Sequence, residues 1–304
     1  MRKIVIAGGT GFLGTCLINH YLKSENQLVI LTRGKTRTEG NVQYMNWDGK
    51  TLGPWADVLE GSDVLINLNG KSVDCRYTNE NKALIYSTRL DSTAALGKAI
   101  QQCKVPPKLW INAASATIYR HSLDKEMDEY TGEMGSGFSV DVCQKWEAAF
   151  NQFETNHTRK VLIRTGIVLG KNGGPMKPLK MLAKLGFGGK QGLGTQYFSW
   201  LHEDDFISII DFIVANQSLS GAYNVTAPTP IPNHQFMSSL RSALKAPIGA
   251  PLPKWLLELG ALIIGTETEL VLKSRRVIPV KLTEAGYKFK FDEISRALSE
   301  LCSK

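Results

Sequence analysis

The sequence has little of what membrane-spanning or low-complexity proteins need. Its longest apolar run, residues 255–265, contains Glu258 and falls far short of the ~20 residues that a membrane span requires. The apolar stretch near the start breaks at Gly8, too early for the hydrophobic part of a signal peptide. There is no internal repeat and no low-complexity tract. We therefore expect a globular protein without a leader or a membrane partner.

Cysteine is also sparse and unpatterned. The five cysteines are odd in number and widely separated, and they form neither a CxxC pair nor a Cys/His cluster. This pattern predicts neither a disulfide framework nor a zinc site, so we expect no metal. A reducing, cytoplasmic location is the corresponding default.

The charge balance is positive. Among 304 residues, 36 Lys and Arg face 28 Asp and Glu, for a net charge of +8. Such a surplus is compatible with nucleic acid, anionic lipid or a phosphate-bearing small molecule. The basic residues are scattered and no nucleic-acid-binding motif accompanies them, so we expect no nucleic-acid partner.

Strand and helix patterns alternate through the first 165 residues. Strands are predicted over 3–7, 27–32, 42–45, 63–67, 108–113 and 160–164, and helices over 11–23, 79–103 and 140–153. This alternation predicts βαβ units, which give an α/β Rossmann fold with a doubly wound parallel sheet.

Beyond residue 165 the sequence becomes richer in glycine, lysine and proline. We predict a dinucleotide-binding domain over 1–168. The chain would come back to this domain over about 195–227. Residues 169–194 and 228–304 would form a smaller C-terminal α/β domain on the substrate side. The polar residues 120–137 are expected to form an exposed loop.

A glycine motif follows the first strand. Gly8, Gly11 and Gly14 are spaced as G-x-x-G-x-x-G between a strand and a helix. Such glycines allow a tight turn, a close approach of pyrophosphate to the backbone, and packing of helix on strand. The free N–H groups of the helix N-terminus would hold the anion. The alternative is a glycine-rich turn without a ligand.

The end of the second strand bears on which dinucleotide is bound. An NAD site usually has Asp or Glu there, whereas this chain has Thr32 and Arg33. An arginine at this place can hold the 2′-phosphate of NADP(H), which is the cofactor we predict. The alternative is a solvated basic turn.

Arg89 lies on the apolar stripe of the helix predicted over 79–103. A buried guanidinium needs an anionic or hydrogen-bonding partner. That partner is either a cofactor or substrate group, or a core Asp or Glu in an internal ion pair.

Several segments together resemble a known family, the extended short-chain dehydrogenases/reductases of the NAD-dependent epimerase/dehydratase type. They are GGTGFLG at 8–14, NLNG at 67–70, SATIY at 115–119, CQKWE at 143–147, RTGIVLG at 164–170, WLHEDD at 200–205 and RVIP at 276–279. Within that superfamily the chain is similar to an atypical subgroup called epimerase family protein, or nucleoside-diphosphate-sugar epimerase. That subgroup ends in its own C-terminal domain of unknown function.

The resemblance implies a set of cofactor-binding residues. They are Gly8, Thr10, Gly11, Phe12, Leu13 and Gly14 at the pyrophosphate, Thr32 and Arg33 at the 2′-phosphate, Leu68, Asn69 and Gly70 at the adenosine, and Arg89 and Ile167 further along. Two positions depart from the family pattern. Asn69 stands where alanine is common, and Arg120 stands where glycine commonly follows the tyrosine.

The family's catalytic YxxxK pair is missing. The resemblance places Ser139 and Cys143 at the two positions, and neither side chain can do the work of the tyrosine or the lysine. Ser115 matches the catalytic serine. Tyr119 is the nearest candidate acid–base group, although nothing in the sequence would lower its pKa. Lys145 is expected to face solvent.

Three further residues, Cys143, His202 and Asp205, could belong to the site or to the core of the fold. Cys143 could touch the cofactor or simply pack. His202 and Asp205 resemble a structural family element.

These observations predict an NADP(H)-binding oxidoreductase or epimerase. Its substrate would carry a hydroxyl or carbonyl group, and could be a nucleotide sugar. The alternative is a non-catalytic NADP(H)-binding sensor or regulator. We expect a small-molecule partner and a monomer or homodimer.

Overall fold

A computed structural model describes residues 1–303. The strands are β1 (Lys3–Ala7), β2 (Gln27–Thr32), β3 (Arg37–Glu39), β4 (Val42–Asn46), β5 (Val64–Asn67), β6 (Leu109–Ser115), β7 (Arg159–Thr165), β8 (Ile167–Leu169), β9 (Tyr197–Phe198), β10 (Trp200–His202), β11 (Gly221–Val225) and β12 (Ile231–Pro232). The helices are α1 (Phe12–Tyr21), α2 (Asn79–Gln102), α3 (Phe138–Asn151), α4 (Met176–Lys184), α5 (Glu203–Ala215), α6 (Asn233–Leu244), α7 (Lys254–Ile264), α8 (Glu269–Leu272), α9 (Val280–Glu284) and α10 (Ile294–Cys302).

The central sheet has eight strands in the order β11-β7-β6-β5-β1-β2-β4-β3. All neighbours pair in parallel except β3, which runs antiparallel to β4 at the edge. The predicted Rossmann-like α/β fold is confirmed. The strand order reverses at β1, between β5 and β2, and in such sheets ligands bind in the crevice at this switch point.

Both faces of the sheet are buried because side chains alternate along each strand. Ile4 and Ile6 of β1 pack with α1 and α5, and Val5 and Ala7 pack with α2 and α3. A strand covered on both faces is apolar at nearly every position, which makes it recognisable in the sequence.

The helices α4, α6 and α10 enclose a separate core cluster that also contains Trp200. A small cluster joins Ile118, Tyr119 and Cys143 to Val277 of the C-terminal region. The domain boundaries given above stay a prediction. None of the helices within 1–303 is both long and apolar enough to cross a membrane.

The expectation of an exposed loop over 120–137 is wrong for part of that segment. Ser122 and Met127 are completely buried. The backbone N–H of Met127 donates to the carbonyl of Arg276 at 2.7 Å, and Met127 bridges to Val277. A distant part of the chain covers these residues, and that contact leaves no trace in local composition.

Candidate functional site

The glycine turn lies at the switch point, between the ends of β1 and β5. Gly8 has φ +78°, a conformation that favours glycine, and a Cβ there would lie 2.8 Å from the backbone nitrogen of Asn69. A Cβ on Gly14 would overlap the backbone of Gly9. The absence of a side chain at Gly8 and Gly14 therefore lets the turn pack closely against the neighbouring backbone.

The N-terminus of α1 opens into this crevice. The helix begins after Gly11, which offers no side-chain cap, and its first turn contains no acidic residue. The first N–H groups of a helix lack intrahelical acceptors, and the helix dipole favours an anion there. Thr10 and Gly11 are exposed at the turn. These free N–H groups are suited to hold a pyrophosphate.

Phe12 begins α1, directly after the glycine turn. Its ring packs against Gly170, Gly173 and Gly174, where any Cβ on Gly170 or Gly173 would overlap the ring. Leu13 is half-buried beside the core cluster of α1 and α5. The side chain of Phe12 thus fixes a neighbouring loop.

One arginine after β2, Arg33, is available to bind a ligand. The Thr32 hydroxyl accepts a hydrogen bond from the N–H of Gly34 at 3.2 Å. Arg33 is exposed, and no ion pair within residues 1–303 involves it. Arg37, by contrast, pairs with Glu39 at 2.6 Å and stacks over Tyr44. Arg33 is therefore free to reach a ligand.

The turn after β5 forms the opposite wall. The N–H of Leu68 donates to the carbonyl of Ala7 at 2.9 Å, so the turn continues the pairing of β1 and β5. The Asn69 amide donates to the Thr88 carbonyl in α2 at 3.0 Å. That tether gives a physical reason for asparagine where the family commonly has alanine.

Arg89 lies against this turn. Its Nη1 donates to the carbonyls of Lys71 at 2.9 Å and Ile85 at 3.1 Å, and its guanidinium lies 5.0 Å from the ring of Trp146. A Cβ on Gly70 would lie 3.1 Å from the guanidinium carbon. No carboxylate in the described chain pairs with Arg89, so the internal ion pair considered above is wrong. Burial lowers the pKa of Arg89.

Ser115 ends β6 at the same edge of the sheet. Its Oγ accepts from the N–H of Thr117 at 3.2 Å. Burial raises the pKa of Cys143 to about 12, so this thiol stays neutral and cannot replace a lysine. Lys145 pairs with Asp141 on the exposed side of α3, as expected.

Ile167 begins β8 shortly after Thr165, the residue that pairs with Ser115 across β6 and β7. Its N–H donates to the Ser199 carbonyl at 2.9 Å. Ile167 and Ser115 therefore lie at the same end of the sheet.

The structure argues against Tyr119 as an acid–base group. Its side chain is completely buried, and its hydroxyl donates to Asn224 at 3.0 Å while accepting from Arg164 at 2.9 Å. Burial raises the pKa of Tyr119. The Arg164 guanidinium also pairs with both oxygens of Glu147 at 2.8 Å. Tyr119 is thus part of a buried polar network.

His202 and Asp205 are structural, as expected. His202 caps α5, its Nδ1 accepting from the N–H of Asp204 at 3.0 Å. The Asp205 carboxylate accepts backbone bonds from Lys290 and Phe291 at 2.8 and 2.9 Å.

The sequence did not predict a cluster of polar residues around Ser139, the residue at the position of the family's catalytic tyrosine. We call Tyr77, Ser139, Glu269, Lys273 and Arg275 the Ser139 cluster. The Ser139 hydroxyl donates to Glu269 at 3.0 Å and lies 3.5 Å from the Tyr77 hydroxyl. Lys273 donates to Glu269 at 3.0 Å. These residues come from three distant parts of the chain, so no sequence spacing could have revealed them.

The sheet order and the glycine turn define a Rossmann-like α/β protein with a dinucleotide-type crevice. The chain belongs to the NAD dependent epimerase/dehydratase family, whose model matches residues 4–226. A second family model, a domain of unknown function (DUF1731), matches residues 252–301. Its range includes Glu269, Lys273 and Arg275 of the Ser139 cluster.

Similar proteins have been found in bacteria and in humans. The chain is 33% identical over 306 residues to an epimerase family protein of Staphylococcus aureus, with 100% of each covered. Human epimerase family protein SDR39U1, crystallised with NADPH, has a TM-score of 0.87, 28% identity and 99% coverage of both chains. A nucleoside-diphosphate sugar epimerase of Corynebacterium glutamicum has a TM-score of 0.79 and 25% identity, covering 99% of this chain and 58% of that one.

Proposed function

We propose that the protein is an NADP(H)-dependent oxidoreductase or epimerase acting on a small molecule with a hydroxyl or carbonyl group. The observation that carries the proposal is Arg33, just beyond β2. It is exposed, has no ion-pair partner among residues 1–303, and follows the strand that pairs with β1 beside the glycine turn. NADPH in the human relative supports the same choice. A nucleotide sugar is one substrate of this class.

Residues along one edge of the sheet would bind the cofactor and the substrate. The backbone of Gly8 to Leu13 would hold the pyrophosphate, and Arg33 the 2′-phosphate. A bound nicotinamide would supply the hydride acceptor or donor. Ser115 would hydrogen-bond the reacting oxygen of the substrate. Since Cys143 and Ser139 replace the usual pair, the proton must come from another group.

Arg33→Asp should weaken NADPH binding selectively. It replaces a charge-assisted contact worth about 1.5–3 kcal/mol with a repulsive carboxylate, so the affinity should fall at least about tenfold. The measurement is thermal stabilisation by NADPH, NADP, NADH and NAD, which rises with affinity. Arg37→Gln is the matched control because Arg37 already pairs with Glu39. Equal stabilisation of the parent by NADH and NADPH would refute the cofactor assignment.

Ser115→Ala should lower kcat/KM for any carbonyl substrate found in a broad panel. Loss of one hydrogen bond to a developing oxyanion costs roughly a hundredfold. NADPH-dependent stabilisation should be unchanged, because Ser115 lies away from the phosphates. Ser299→Ala, an exposed hydroxyl on α10, is the control. Undiminished turnover in Ser115→Ala would remove this residue from the mechanism.

A non-catalytic sensor is the second candidate, and the neutral, buried Cys143 at the lysine position favours it. Tight NADPH binding without turnover across carbonyl and sugar-nucleotide panels would support this alternative. Stereospecific hydride transfer to any substrate would exclude it.

A further inference from the structure

The positive charge of the chain is concentrated in two segments. Residues 171–202 contain five lysines, residues 233–257 contain two lysines and one arginine, and neither segment contains Asp or Glu. Together these segments carry eight positive charges, which equals the net charge of +8 of the whole chain. The rest of the chain is therefore balanced, and the surplus of positive charge is a local feature.

The fold brings the two segments side by side. Helix α4 packs against α6 in one core cluster. The N–H of Ala250 donates to the carbonyl of Gly186 at 2.8 Å, and the N–H of Leu252 donates to the carbonyl of Lys190 at 2.9 Å. Helix α7 begins at Lys254, two residues after Leu252. Charges that are far apart in the sequence thus lie on adjacent parts of the structure.

Most of these charges face solvent without a partner. Six of the lysines are exposed, namely Lys171, Lys177, Lys184, Lys190, Lys245 and Lys254. Within residues 1–303 only Lys254 among the six forms an ion pair, at 3.6 Å from the exposed Glu258. These lysines are therefore available to an anionic partner.

Large apolar side chains are exposed among the lysines. Met181 and Leu185, one turn apart at the end of α4, are 58% and 65% exposed, and Ile248 is 66% exposed. A Cβ on Gly186 would lie 3.3 Å from the side chain of Ile248, so the end of α4 adjoins Ile248. Apolar and basic side chains are therefore mixed on the same surface.

Helix α7 continues this pattern. Trp255, Leu259 and Leu262 follow at spacings of four and three, which places them on one face of the helix, and all three are exposed. Trp255 is 65% exposed, whereas none of the other five tryptophans exceeds 6%. Helix α7 lies within residues 252–301, which match the domain of unknown function. We call the exposed lysines and apolar residues of 171–193 and 245–262 the α4–α7 surface.

We infer that the α4–α7 surface binds an anionic lipid membrane. Trp255 and the apolar side chains enter the headgroup region, and the lysines face the anionic headgroups. Surface-bound proteins combine tryptophan and leucine with lysine in this way. A second copy of the chain fits this surface poorly, because it would oppose like charges.

This inference goes beyond the proposed function and does not depend on it. The expectation of no membrane partner rested on the lack of a spanning segment, which does not bear on binding at the membrane surface.

The test uses the full chain and sedimented vesicles. The protein should bind vesicles of phosphatidylcholine and phosphatidylglycerol in equal parts, and should not bind vesicles of phosphatidylcholine alone. Binding should weaken as salt is added, because salt screens the lysine charges. Soluble polyglutamate, tested in parallel, represents an acidic macromolecule without an apolar phase.

Intrinsic fluorescence reports directly on Trp255, because the other tryptophans are buried. Anionic vesicles should move the emission of the parent to shorter wavelength as the indole leaves water. Trp255→Phe should still sediment with the vesicles but should lose this shift. The pair of results separates insertion of this side chain from a general change in the protein.

Apolar variants test the contact with lipid. Trp255→Ala should weaken vesicle binding at least about tenfold, since burying a large apolar side chain is worth that much. Leu259→Ala should weaken it severalfold. Leu84→Ala is the matched control, because Leu84 is similarly exposed on α2.

Charge variants test the attraction to the headgroups. Lys184→Gln with Lys190→Gln should weaken binding about 25-fold, at about fivefold for each lysine near the membrane. Lys23→Gln with Lys98→Gln is the control, since both of these lysines are exposed elsewhere. NADPH binding and thermal stability should be unchanged in every variant, because the substituted side chains are exposed.

Three results would overturn the inference. The first is no binding of the parent to anionic vesicles, with or without binding of polyglutamate, which would favour an acidic macromolecule. The second is vesicle binding that the apolar and charge variants retain, which would place the contact elsewhere. The third is a dimer in analytical ultracentrifugation that Trp255→Ala dissociates, which would assign the surface to a second copy. None of these results bears on NADPH binding.

Discussion

Gly14→Ala should bind the proposed dinucleotide far more weakly and should be markedly less stable. The added methyl group would overlap the Cα, carbonyl carbon and oxygen of Gly9, and backbone atoms cannot move aside as a flexible side chain can. Overpacking of this kind costs about 3 kcal/mol, near the upper end of measured values. The turn must open to admit the methyl group, so the affinity for NADPH should fall by roughly a hundredfold or more, in line with that cost.

Urea denaturation and NADPH titration measure the two effects. Gly260→Ala is the control, because it adds the same methyl group within α7, where nothing lies within 4 Å. That substitution should be neutral or stabilising, as alanine favours a helix over glycine by about 1 kcal/mol. Wild-type stability and NADPH affinity in Gly14→Ala would show that the turn does not need its tight packing.

Arg164→Met should be strongly destabilising. It leaves the Glu147 carboxylate buried without its partner and removes a donor to the Tyr119 hydroxyl. Breaking one side of a buried ion pair costs about 3–5 kcal/mol. The midpoint of urea denaturation should fall accordingly, with little change in the slope of the transition.

The double variant Arg164→Met with Glu147→Leu shows whether the unpaired charge of Glu147 or the loss of packing causes the destabilisation. It removes both charges, so much of the lost stability should return. Lys145→Ala is the surface control, because its pair with Asp141 is exposed and should contribute less than about 1 kcal/mol. A double variant no more stable than Arg164→Met would mean that packing, and not an unpaired charge, causes the loss.

The sequence predicted the sheet well because its strands are covered on both faces. β1, β2 and β5 are nearly continuous apolar runs, and such runs are visible without a structure. Both edge strands were missed. The three residues of β3, Arg37 to Glu39, are all exposed and carry no apolar pattern, and β11 (Gly221–Val225) lies at the opposite edge of the sheet.

The structure places the two candidate catalytic residues in different surroundings. Ser115 lies at the end of β6, at the edge where the sequence put it. Tyr119 follows only four residues later, yet it is buried against Arg164 and Asn224. Its partners come from β7 and β11, and their positions follow from sheet order rather than from spacing along the chain.

The sequence by itself determined the Rossmann-like core and the glycine turn, because apolar strands, helical spacing and glycine spacing are all visible as local patterns along the chain. Only the tertiary structure decided that Arg89 has no carboxylate partner among residues 1–303, and that Glu269 meets Ser139. The physical reason is that burial and unpaired charge depend on what the folded chain brings together. For Ser139 and Glu269 those partners lie 130 residues apart.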